Sequence, residues 1–188
     1  MISGIIESKP DNVKKVFYFF LKLIAIWLFW KIILHITGEE HVPLQERMIP
    51  SLSYHWESLN NAVRHIVLHG SESLLNILGY ITENTGYALR VKGERGLALG
   101  NYCLGFQLMY YFAMLVLISS LNYRTKFLAV ISVAPIVIVL NIFRVAILCL
   151  VLINRPAMLP VIHHYVFNGI VLGILLGYYF ALIRNSKK

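Results

Sequence analysis

Charge is scarce in this chain. Only 14% of its 188 residues are charged, whereas 58% are hydrophobic. A soluble domain of this length needs more polar surface than that, so composition excludes an ordinary soluble fold. It points instead to one polytopic membrane domain, residues 1–188. Cysteine is nearly missing too. Cys103 and Cys149 are the whole complement and form no CxxC, which excludes a disulfide framework and leaves thiol–disulfide exchange poorly supported. Cys149 reads as a small apolar packing residue. The seven histidines are scattered along the chain, so neither a metal site nor a cofactor is expected. Internal repeats and low-complexity tracts are missing as well.

What is present is a set of long apolar runs and a net charge of +8. The basic residues gather at the chain ends and beside the apolar runs, as lipid headgroups and the positive-inside rule require, so no nucleic-acid partner is expected. Four runs are long enough to cross a hydrocarbon core of about 30 Å, at about 16–36, 104–121, 127–153 and 161–183. The first follows Lys14 and Lys15, is too long for a signal-peptide core, and has no small-residue cleavage site after it, so it reads as a retained helix. Lys22 and Lys31 within it fall on nearly one helix face and are expected to snorkel or face protein.

The segment 37–103 differs in composition. Its first part, TGEEHVPLQERMIPS, is polar and reads as a loop. Residues 58–80 have helical periodicity, with Leu59, Val63, Ile66 and Val67 on one face and Asn60, Asn61, Arg64 and His65 elsewhere. With Arg64, His65, His69 and Glu72 in its middle, this stretch is a poor span and reads as an amphipathic helix at the interface or tucked into the bundle. Residues 86–103 read as a small β-hairpin around Lys92–Gly96. The fold class is therefore an all-α integral membrane bundle of about four transmembrane helices, with an interfacial helix and an extracytoplasmic β-hairpin. Placing Lys9, Lys14, Lys15, Arg124, Lys126, Arg184, Lys187 and Lys188 on the cytoplasmic side requires four spans and puts 37–103 outside the cytoplasmic membrane. A fifth span at 58–80 would break that agreement.

With that orientation, each of three spans carries one reactive-capable polar group in its outer half. Cys103 heads the second, where a helix N-terminus favours the thiolate. Arg144 lies in the third, ten residues before Asn154, with Asn141 on the same face. An arginine so placed is costly unless it faces the bundle interior and finds a partner. His163 and His164 open the fourth, and His164 shares its face with Asn168. Cysteine with histidine is the minimal pair for thiolate acyl transfer, and an arginine suits either the thiolate or an oxyanion.

The stretches NYCLGFQ (Cys103, Gly105), NIFR (Asn141, Arg144) and HHYVFNG (His164, Asn168), in this order and spacing, resemble the exosortase/archaeosortase family of membrane cysteine transpeptidases. The resemblance covers about residues 58–180, and SLLNILGY before the cysteine is similar as well. The chain looks like a compact, short-chain branch, and Leu104 stands where the family often has a small residue. The resemblance implies Cys103, Arg144 and His164 as catalytic residues, with His163, Asn141 and Asn168 as further catalytic or substrate-orienting candidates. It also implies substrate proteins with a C-terminal signal of motif, transmembrane helix and basic tail, cleaved on the outer face and passed to a lipid or glycolipid acceptor. The competing expectation is a non-catalytic membrane scaffold whose polar residues bind a lipid headgroup or a partner helix.

Overall fold

A computed structural model of the protein describes residues 10–37 and 49–186. The polar segment 38–48, Lys9, Lys187 and Lys188 lie outside the described residues. The chain runs through helix α1 (Pro10–Thr37), helix α2 (Pro50–Ile77), strands β1 (Thr82–Asn84), β2 (Ala88–Val91) and β3 (Gly96–Ala98), and a 3-10 turn over Asn101–Leu104. Helices α3 (Phe106–Ile118) and α4 (Tyr123–Asn154) follow. A 3-10 turn at Pro156–Met158 then leads through the short α5 (Leu159–Val161) and a π-helical segment, Ile162–Val166, into α6 (Phe167–Ser186).

Among the described residues, Tyr123–Asn154 and Phe167–Asn185 are long and apolar enough to cross a membrane. Asn122 caps α4, its side chain accepting from the Thr125 amide at 2.8 Å. The second expected span is shorter than the 18 residues anticipated. Gly105 takes a left-handed φ of +84° and separates the 3-10 turn from α3, and Ser119 ends the helix in an extended conformation. The result is a 13-residue helix, about 20 Å long. Cys103 consequently stands on the turn before α3 rather than in its first turn.

Helix α2 begins eight residues earlier than the periodicity suggested, with Pro50 in its first turn. It packs along α4, and the contact is close. A Cβ on Gly70 would come within 2.6 Å of Ile142 Cδ1, and Ser71 Oγ lies 2.9 Å from the Ile142 carbonyl. The expected inward face is also corrected. The buried residues are Ser53, Asn60, Val63, Arg64, Val67, Leu68, Ser71 and Leu75, while Leu59 (47% exposed) and Ile66 (51%) point outward. Polar residues go in because partners for Arg64 and Ser71 await them there, which periodicity of apolar residues does not register.

The strand unit is a three-stranded antiparallel sheet in order β1-β2-β3 rather than a two-stranded hairpin. Leu89 pairs with Asn84 on one side and Leu97 on the other. Leu89 and Leu99 bury their side chains against Val63, Val67, Leu75, Val145 and Cys149 in an upper core. A second core at the other end joins Phe112, Val116, Ala129, Val133, Val171 and Leu175, where Ser132 and Tyr178 hydroxyls meet at 2.6 Å. Helix α1 lies against α3, its Ile26 carbonyl accepting from Tyr110 at 3.0 Å and Trp30 stacking on Tyr110 at 4.8 Å.

Candidate active site

Three elements meet beside the upper core. The 3-10 turn supplies Cys103, α4 supplies Arg144, and the π-helical entry to α6 supplies His163. Cys103 Sγ lies 3.6 Å from His163 Nε2, and Arg144 Nη2 lies 3.1 Å from the same nitrogen. Arg144 is 8% exposed, so its side chain faces protein.

The turn that presents the thiol is fixed from below by Asn141. Its buried Nδ2 donates to the Leu104 carbonyl at 2.9 Å, and this bond requires close approach at the neighbouring residue. A Cβ on Gly105 would meet Val137 Cγ1 at 2.5 Å and Asn141 Nδ2 at 3.0 Å. Gly105 is thus required twice, for its positive φ and for its missing side chain. Within the turn, the Cys103 amide donates to the Gly100 carbonyl at 3.0 Å.

Of the site residues expected from sequence, Cys103, Arg144 and His163 come together, and Asn141 supports the turn. Asn168 is the second residue of α6 and is exposed. The side chain of His164 lies outside the described residues. The adjacent histidine, His163, stands in a segment of altered helical pitch. The amide of Phe167 bonds the Ile162 carbonyl, an i to i+5 closure, and such a π-turn inserts about one extra residue per turn and shifts every face beyond it. An α-helical wheel does not apply across this stretch.

Arg144 constrains the imidazole. A guanidinium N–H only donates, so at 3.1 Å from Nε2 it calls for a lone pair there, hence a neutral ring carrying its proton on Nδ1. The thiol and the guanidinium thus converge on one ring nitrogen.

In the sequence Arg64 is conspicuous only as a residue ill-suited to a span. In the structure Arg64 binds the strand-to-turn segment that precedes Cys103, through the Leu99 carbonyl at 3.0 Å and the Asn101 side chain. The available signal was a cation at an interior position of a helix that also carries Val63, Val67 and Leu68.

Long apolar helices around a thiol, an imidazole and a guanidinium define a helical membrane protein with a candidate nucleophilic centre. A family model described as transmembrane exosortase (Exosortase_EpsH) matches residues 16–181, and the chain belongs to that family of membrane proteins. No curated protein and no solved structure gives a significant match.

Proposed function

We propose that the protein is a cysteine transpeptidase that cleaves the C-terminal sorting signal from secreted proteins at the outer face of the cytoplasmic membrane and passes the new C-terminus to an acceptor. The observation that carries this reading is the shared contact at His163 Nε2, with Cys103 Sγ at 3.6 Å and Arg144 Nη2 at 3.1 Å. Family membership supports the reaction class.

In the first half-reaction His163 Nε2 takes the Cys103 proton as the sulfur attacks the scissile carbonyl carbon. Once Nε2 is protonated it no longer accepts from Arg144, and two cations sharing that point repel. The guanidinium is thereby released toward the oxyanion at the moment negative charge develops. Collapse of the tetrahedral intermediate breaks the C–N bond, the Nε2 proton goes to the leaving amine, and a thioester remains on Cys103. In the second half-reaction an acceptor amine or hydroxyl loses its proton to Nε2 and attacks the thioester, and the returning thiolate regains that proton. The acceptor is a lipid or glycolipid.

The test is co-expression with a secreted reporter that carries a C-terminal motif, transmembrane helix and basic tail. Wild type converts the reporter to a shorter form, and Cys103→Ser, expressed to the same level, does not. Equal processing by Cys103→Ser overturns the transpeptidase reading and returns the protein to a membrane scaffold role.

A further inference from the structure

Arg64 is 4% exposed, and the groups it bonds among the described residues are neutral. Its Nε donates to the Leu99 carbonyl at 3.0 Å, its two terminal nitrogens bond the side-chain oxygens of Asn61 and Asn101, and its guanidinium carbon sits 4.9 Å from the Tyr87 ring centre. Only Asn61 belongs to the same helix. Leu99 follows β3 directly and also donates its amide to the Tyr87 carbonyl at 2.9 Å, and Asn101 opens the turn that carries Cys103. Asn101 in turn donates to Glu57 on α2 at 3.5 Å.

One guanidinium thus straps the end of the sheet and the first residue of the nucleophile's turn to α2. Asn141 holds the other end of that turn from α4. Simple packing does not account for an arginine here, because a buried cation without a direct carboxylate partner costs more than an apolar residue of similar volume. What a guanidinium adds is a rigid fork of donors that fixes several acceptors at once.

Resting on the thiol–imidazole reading of Cys103 and His163, we propose that Arg64 is a positioning residue for the nucleophile. It clamps Leu99 and Asn101 so that Cys103 Sγ stays on His163 Nε2.

The test follows carboxamidomethylation of Cys103 by iodoacetamide on the full chain in detergent, resolved from Cys149 by peptide mass spectrometry, from about pH 5 to pH 9. In wild type, the imidazole-paired thiol reacts at low pH faster than an ordinary thiol. Arg64→Ala and Asn101→Ala lower the rate at neutral pH about tenfold and move the profile toward that of an ordinary thiol, with Arg64→Lys in between. A merely structural anchor would lower thermal stability and leave the pH profile unmoved. Asn101→Ala decides the matter if Arg64→Ala fails to fold, since it removes one tie and no charge. Profiles of both alanine variants that coincide with wild type, while His163→Ala changes the profile, overturn the proposal alone. A wild-type profile that is ordinary and indifferent to His163→Ala overturns the thiol–imidazole reading beneath it.

Discussion

At the scale of single residues the candidate centre turns on which of two adjacent histidines serves the thiol. His163 Nε2 is in contact with both Cys103 and Arg144. His163→Ala is expected to lower processing of a signal-bearing reporter roughly 10²–10⁴-fold, the usual worth of a positioned general base, and His164→Ala to lower it much less. The check is the cleaved fraction of reporter at matched expression, and the reverse ranking would move the role to His164. Cys103 and Arg144 were legible as residues, because a thiol and a guanidinium in apolar surroundings are conspicuous. The choice between the histidines was not. Periodicity assigns faces only where the helix keeps 3.6 residues per turn, and Ile162–Val166 does not. Arg64 escaped for another reason, since its contacts lie 35 and 37 residues away.

At the scale of elements, most helices were visible in the apolar runs, and the departures come from backbone details. Strand β1 is three residues, Thr-Glu-Asn, too short and too polar to show alternation, and it exists because β2 offers it a paired edge. The expected second span is shortened at its start by Gly105 and at its end by the extended Ser119. That glycine carries a prediction of its own. Gly105→Ala forces a side chain into the left-handed region and against Val137, with only 2.5 Å available. Such strain and overpacking cost about 1–3 kcal/mol each, so a lower Tm in detergent is expected. Reporter cleavage should fall as well, because relief of the clash displaces the turn carrying Cys103 from His163, and small misplacements cost up to about 10²-fold. Unchanged melting and cleavage would show that the turn accommodates the methyl group and that Gly105 is not required.

At the scale of the whole molecule, α4 and α6 bring basic residues to one end and the candidate centre toward the other. Arg124 and Lys126 stand at the start of α4 and Arg184 in the last turn of α6, and both ends meet at the lower core where Leu121 and Ala129 pack near Leu182 and Ile183. The Cys103, Arg144 and His163 cluster sits toward the opposite end. Helix α4 has 32 residues, about 48 Å, which exceeds a hydrocarbon core of about 30 Å. Arg144 lies 21 residues beyond Tyr123, about 32 Å along the axis. With the basic end at the cytoplasmic boundary, that distance brings Arg144 to the far boundary rather than to the middle of the bilayer, and α4 projects further to meet the sheet. A scissile bond at the junction of a substrate's soluble body and its membrane helix would lie at that same level. In intact spheroplasts, a membrane-impermeant maleimide is therefore expected to label Cys103, which is partly exposed. Cys149 should stay unlabelled, because its thiol is packed in the upper core between Val145 and Leu89. Labelling of Cys103 only after the membrane is breached would place the centre on the cytoplasmic side and reverse the orientation.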